Sequence, residues 1–135
     1  MEVFAAASRP IRVLVADDQR LFLEGLTHLL VQDDRIDVVG HALDGADAVR
    51  LTQSLRPSIV LMDVAMPRVD GIEATRRIRD VSPHTAVLVL TGSDAPDSAR
   101  RAAEAGAAGY VTKDLASSDL IAAILEVAAL ASVRP

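Results

Sequence analysis

Short, almost continuously apolar runs alternate with helical periods along this chain, and that alternation leaves few architectures open. Ile11–Ala16 (IRVLVA), Ser58–Met62 (SIVLM) and Thr85–Leu90 (TAVLVL) are rich in β-branched residues and apolar along most of their length, as strands covered on both faces require. Ile36–Ala42 and Ala108–Thr112 are weaker runs of the same kind. Between them the apolar spacing is helical over Gln19–Val31, where Phe22, Leu26, Leu29 and Leu30 point inward. The same period recurs over Ala46–Leu55, Gly71–Val81, Ala95–Ala105 and Asp114–Leu130. Arg56-Pro57 and Ser82-Pro83 close helices, Gly106 suits a left-handed helix end, and Asp44-Gly45 and Asp70-Gly71 read as turn pairs. Strict strand-helix alternation implies parallel strands joined by right-handed crossovers, hence an open, doubly wound α/β sheet with helices on both faces.

Size and charge narrow the function classes. Half of the 135 residues are hydrophobic, enough for one domain to bury its own core without staples. Cysteine is absent, which removes disulfides and thiolate metal sites and fits a reducing cytoplasm. Residues 1–10 carry Glu2 and only a brief apolar patch, so they read as a flexible lead-in and not a secretory signal. Residues 11–131 form the domain, and 132–135 read as the start of a linker or a C-terminal tail. The longest apolar stretch, Leu120–Val133, is broken by Glu126 and is too short to cross a bilayer, so a soluble, cytoplasmic protein with no membrane contact is expected. Net charge is −5 and aromatic content is 2%, which argues against nucleic-acid binding by this segment. Arg76, Arg77 and Arg79 form the one basic cluster and read as the wet face of a helix.

In doubly wound sheets the ligand crevice lies beyond the carboxyl ends of the strands. Asp17 and Asp18 follow the first strand, Asp63 the third, Thr91 the fourth and Lys113 the fifth, so the five groups crowd one rim. Lys113 is the single lysine beside thirteen arginines, and an ammonium is a compact point charge suited to one anionic oxygen. Three carboxylates brought together repel, and either one keeps its proton or a cation neutralises them. Magnesium suits oxygen ligands of this kind together with phosphate oxygens, whereas zinc or iron would call for histidine or glutamate here. A carboxylate can also act as a nucleophile toward phosphorus, which makes Asp63 the candidate acceptor, with the Lys113 ammonium and the Thr91 hydroxyl matched to phosphoryl oxygens.

Taken singly, each residue has a plainer explanation. Asp18 could cap the first helix, Asp63 could form a turn, Thr91 could end a strand in solvent, and Tyr110 could be a half-buried packing residue. The ordered set turns the balance toward a site. His28, His41 and His84 are scattered over a helix, a strand and a turn and receive no ligand role.

That ordered set resembles the receiver domain of two-component response regulators from Ile11 to about Leu130. The resemblance is carried by Asp17-Asp18, by Met62-Asp63-Val64-Ala65-Met66-Pro67 leading to Asp70-Gly71, by Thr91, and by Gly109-Tyr110-Val111-Thr112-Lys113. Asp70-Gly71-Ile72-Glu73-Ala74 and Lys113-Asp114 are most similar to the NarL/FixJ (LuxR-type) branch. Asp114 stands where many members have proline, and a non-proline cis bond costs about 3 kcal/mol, which counts against the cis peptide usual there.

The resemblance implies a flavodoxin-like (βα)5 fold with a five-stranded sheet in the order 2-1-3-4-5. It implies Asp63 as phosphoacceptor for a sensor histidine kinase, Asp18 as a direct Mg2+ ligand, Asp17 acting mainly through bound water, and the Ala65 backbone carbonyl as a further ligand. Thr91 and Tyr110 correspond to the switch pair, Lys113 to the lysine that meets the phosphoryl group, and Ala65 and Ser93 to the positions that tune its lifetime. The domain would catalyse only its own phosphoryl transfer and autodephosphorylation, and would reach DNA only through a separate LuxR-type output domain. Leu120, Ile121, Ile124, Leu125, Val127 and Leu130 are too many apolar groups for one sheet-facing stripe, so the fifth helix is expected to offer a homodimer face. A stand-alone receiver and an unphosphorylated interaction module are the alternatives within the same fold. A haloacid-dehalogenase-like phosphatase would have an aspartate where Ala65 stands, and a flavin binder would need a phosphate-cradling loop where Asp17-Asp18 stands.

Overall fold

The computed structural model describes residues 9–92, 96–114 and 117–132. Five strands, β1 (Ile11–Ala16), β2 (Ile36–Ala42), β3 (Ile59–Asp63), β4 (Ala86–Thr91) and β5 (Gly109–Thr112), alternate with five helices. The helices are α1 (Arg20–Val31), α2 (Gly45–Leu55), α3 (Gly71–Val81), α4 (Pro96–Ala105) and α5 (Ser117–Ser132). All strand pairs are parallel, and the sheet order is β2-β1-β3-β4-β5. The expected fold is therefore the observed one. Every expected element is present, with bounds displaced by up to three residues.

Alternation of side chains along each strand divides the core in two. Leu14, Ala16, Val60, Met62, Val87 and Val89 pack with Ala48 of α2, Ile72, Ala74 and Ile78 of α3, and Ala102 and Ala105 of α4. Val13, Val15, Ile59, Leu61, Leu88 and Leu90 face the other way, onto Leu23, Leu26 and Leu30 of α1 and Leu120, Ile124 and Val127 of α5. Central β3 is buried at all five positions, which explains why its sequence lacks polar alternation. In α1 the deepest residues are Leu23, Leu26 and Leu30, while Phe22 and Leu29 are only half-buried.

The Asp-Gly pairs have a different job from the one expected of them. Asp44 and Asp70 are N-caps whose side chains accept the backbone N–H of Asp47 at 2.7 Å and of Glu73 at 2.8 Å, and the glycines are the first helical residues. Gly71 is required by proximity, because a Cβ there would lie 1.9 Å from the Asp63 carbonyl oxygen. Gly106, at φ +100°, ends α4 as expected.

The fifth helix buries more of its apolar face than expected. Leu120, Ile124 and Val127 are buried in the core, Ile121 and Leu125 are half-buried, and only Leu130 of the six is strongly exposed, at 59%. α5 also continues through Ser132, the expected first residue of the linker or tail. Ser93, Leu115 and residues 1–8 and 133–135 lie outside the described residues. No cis peptide bond occurs among the described residues, including the bond after Lys113. None of the described helices is long and apolar enough to cross a membrane.

Candidate functional site

The five rim residues end neighbouring strands because the register brings those ends level. Ala16 pairs with Met62, Asp63 with Leu90 and Thr91 with Thr112. Asp17, one residue past β1, is fully buried, Asp63 is 4% exposed and Thr91 is 6% exposed.

Asp17 is held on every side. Its backbone N–H donates to the Ala42 carbonyl at 3.0 Å, and its Oδ1 accepts the Gln19 N–H at 2.8 Å. The helix cap considered for Asp18 is not formed, since α1 is capped at Gln19 without a side-chain bond; Asp17 makes the local turn bond, and Asp18 is exposed with its carboxylate toward the rim. Asp17 Oδ2 is sealed from solvent without an aligned hydrogen bond, and its neutralising contact is the Lys113 ammonium 2.8 Å away. Lys113 Nζ also lies 3.2 Å from Asp63 Oδ1, so the one lysine bridges two buried acids. Its backbone is fixed as well, with the Lys113 N–H donating to the Thr91 carbonyl at 2.7 Å. Thr112 Oγ1 donates to Asp114, closing the turn that follows.

Electrostatics follow from this crowding. Burial, then the nearby Asp17 charge, push the Asp63 carboxyl above the ordinary aspartate value of 3.8, and Lys113 only partly offsets them. Burial works against the charged Lys113, but its close ion pair with Asp17 and the field of Asp63 outweigh that and raise its value. One oxygen each from Asp17, Asp18 and Asp63 lie within 4.8 Å of one another. An all-oxygen cluster of three acids fits a hard divalent cation such as magnesium.

Two supporting residues escape a reading by motif. The ring of Phe22, on the first turn of α1, lies 4.4 Å from the Lys113 ammonium, although by sequence it was simply an inward helical residue. Gly71 lets the capped start of α3 press against the carbonyl of Asp63, and its N–H donates to Val64 at 2.9 Å. Ala65 is exposed in the loop after β3, and Tyr110 is half-buried against the core on the α2, α3 and α4 side. Arg76 and Arg77 are exposed and paired with Glu73, as a wet helix face should be. The histidines are less scattered than the sequence suggests, since His28 and His41 line one groove. Their ring nitrogens meet Gln32 and Thr27, each at 3.0 Å.

Comparison with known proteins gives this arrangement its family. The response regulator receiver domain family matches residues 13–125. Response regulator GacA of Pseudomonas aeruginosa is 40% identical over 117 residues, covering 87% of this chain and 55% of that protein. The solved signal receiver domain of NarL from Mycobacterium tuberculosis superposes with a TM-score of 0.86 at 34% identity, covering 93% of this chain and 99% of that one. A LuxR-family two-component response regulator from Aurantimonas sp. SI85-9A1 superposes with a TM-score of 0.85 at 37% identity, covering 89% of this chain and 86% of that one. This chain spans about half the length of the curated relatives it matches. Receiver domains are phosphoryl-accepting signalling switches with a magnesium-binding acidic pocket, and are not enzymes acting on a separate substrate. With its five-stranded order, its acidic rim and its bridging lysine, the chain belongs to the receiver domain family of two-component response regulators, in the NarL/FixJ (LuxR-type) branch.

Proposed function

We propose that Asp63 accepts a phosphoryl group from a sensor histidine kinase and that the resulting charge switches the shape of this domain. The observation that carries this reading is the Lys113 ammonium lodged between Asp17 and Asp63 at 2.8 and 3.2 Å. In the transfer an Asp63 carboxylate oxygen bonds to phosphorus as the phosphorus–nitrogen bond of the donor breaks, and the freed imidazole keeps the electron pair. Asp17, Asp18 and Asp63, with the Ala65 backbone carbonyl, would hold Mg2+, which when bound offsets the carboxylate and phosphoryl charges. Asp18 is the exposed member and suits direct ligation, whereas both oxygens of Asp17 already have protein neighbours, which suits contact through water.

Lys113 is placed to exchange part of its contact with Asp63 for a phosphoryl oxygen, and the Thr91 hydroxyl donates to another. Movement of Thr91 toward the phosphoryl group draws Tyr110 inward, which couples the rim to the α4–β5 surface. Shifting such an equilibrium from 1:99 to 99:1 takes about 5.5 kcal/mol of differential binding, within reach of a few charge-assisted hydrogen bonds. Ala65 and Ser93 tune the lifetime of the phosphoryl group against autodephosphorylation, and Ala65 offers an attacking water no side-chain hydrogen bond. The output is a LuxR-type DNA-binding domain beyond this segment, a reading supported by the relatives' transcription-regulator names and greater length. The α5 face, with Leu130 outermost, is the surface for pairing of two phosphorylated copies.

Acetyl phosphate with Mg2+, followed by intact mass, tests the proposal. One added phosphoryl group on wild type and none on Asp63→Asn is the expected result. No added mass on wild type, or equal labelling of the variant, overturns it. Light scattering on the phosphorylated sample tests the dimer face, which is wrong if the protein stays monomeric at high micromolar concentration.

A further inference from the structure

We propose that Phe22 is a positioning residue for Lys113, holding the ammonium between Asp17 and Asp63 through a cation–π contact. The inference rests on the phosphoacceptor reading above, because the consequence of that position is felt at Asp63. Lys113 Nζ lies over the Phe22 ring, 4.4 Å from its centroid, well inside the roughly 6 Å reach of such contacts. An ammonium has three N–H donors, and Asp17 Oδ2 at 2.8 Å and Asp63 Oδ1 at 3.2 Å engage it from the carboxylate side. The electron-rich face of the ring supplies the other wall.

The choice of an aromatic wall has a physical reason. The Lys113 side chain is only 17% exposed, so water solvates little of its charge. A further carboxylate would add to three negative charges already within 4.8 Å of one another. A ring attracts the cation without adding net charge, and an aliphatic side chain would not attract it at all. Phe22 is itself seated against the α1 and α5 side of the core, so the ring keeps its place independently of the ammonium. Aromatic residues are scarce here, with two phenylalanines, one tyrosine and no tryptophan in the chain. One of these few stands over the only lysine.

A flexible four-carbon stem gives that ammonium many alternative positions. By selecting one, Phe22 raises the fraction of molecules in which the charge is ready for the incoming phosphoryl group, and so raises the rate of transfer to Asp63. Phe22→Leu keeps the apolar bulk and removes the ring, whereas Phe22→Tyr keeps a ring.

The test is the initial rate of phosphorylation by acetyl phosphate at saturating Mg2+, together with NMR of protein labelled with 13C-lysine, in which Lys113 gives the single signal. In wild type and Phe22→Tyr the Lys113 Hε protons are expected upfield of free lysine by the ring current, and in Phe22→Leu that shift disappears. Phe22→Leu is expected to phosphorylate roughly three- to thirty-fold more slowly, the factor for losing a partly dry cation–π contact, with Phe22→Tyr near wild type. Equal rates for wild type and Phe22→Leu, equal slowing in both variants, or unshifted Hε protons in wild type would each overturn the inference. Failure of wild type to gain a phosphoryl group would instead defeat the phosphoacceptor reading, and the NMR signal would still report whether the ring holds the ammonium.

Discussion

Replacing Lys113 by methionine removes the ammonium while leaving an unbranched chain of similar length beside Phe22. Asp17, fully buried, and Asp63, 4% exposed, are then left without their shared counter-charge. Removing one partner of a buried ion pair costs about 3–5 kcal/mol, but a stranded carboxylate can bind a proton, and that escape caps the loss. From the ordinary aspartate value of 3.8, taking up that proton costs about 1.36 × 3.2, or roughly 4.4 kcal/mol, near pH 7, and about 1.6 kcal/mol near pH 5. The sign follows from linkage. A carboxylate whose folded pKa is raised adds stability below its unfolded value and loses it as pH rises through the folded value. The variant should therefore be least stable, relative to wild type, at neutral pH and should recover on acidification by up to about 1.4 kcal/mol per pH unit. Urea unfolding followed by circular dichroism, with and without Mg2+, measures this directly. The expected loss is about 2–4 kcal/mol near pH 7 and at most about 1.6 kcal/mol near pH 5, with Mg2+ restoring part of it. A loss that is equal at both pH values and indifferent to Mg2+ would refute the electrostatic argument and make Lys113 a packing residue.

Two further outcomes follow from the same geometry. Burial and Asp17 raise the Asp63 pKa, so ionised Asp63 weakens the metal-free fold. Asp63→Asn should raise the midpoint of thermal unfolding in Mg2+-free buffer at neutral pH, by about 3 °C per kcal/mol relieved, and calorimetry should find that gain gone below about pH 3.8. A variant no more stable than wild type at neutral pH would contradict it. Gly71→Ala places a methyl group 1.9 Å from the Asp63 carbonyl oxygen. Because backbone and not a flexible side chain must yield, the cost should sit near the upper end of overpacking, about 3 kcal/mol, and an unchanged urea midpoint would show that α3 moves away freely.

Local patterning carried the architecture. The apolar, β-branched run Ile59–Met62 has the pattern of a strand covered on both faces, and Arg56-Pro57 and Ser82-Pro83 stop helices through the backbone restriction that proline imposes on its neighbour. Strand ends and the switch-point rule are enough to place Asp17, Asp18, Asp63, Thr91 and Lys113, five residues of three types, on one rim from the sequence. Where the sequence misled, it did so because one dipeptide serves two backbone roles. Asp44-Gly45 and Asp70-Gly71 suit a turn, and they equally suit an N-cap followed by a helix start pressed against a neighbouring backbone.

What the order of residues determined is therefore the set of elements, their parallel sense and the side of the sheet on which the polar groups emerge, since hydrophobic period and turn chemistry act over a few residues. Only the tertiary structure decided that the ammonium bridges Asp17 and Asp63, that Asp17 and not Asp18 makes the local turn bond, and that Phe22 backs the lysine. The depth to which the sheet hides α5 was likewise settled there. Those contacts join residues up to 96 positions apart, from Asp17 to Lys113, and no short-range pattern encodes a distance across the packed sheet.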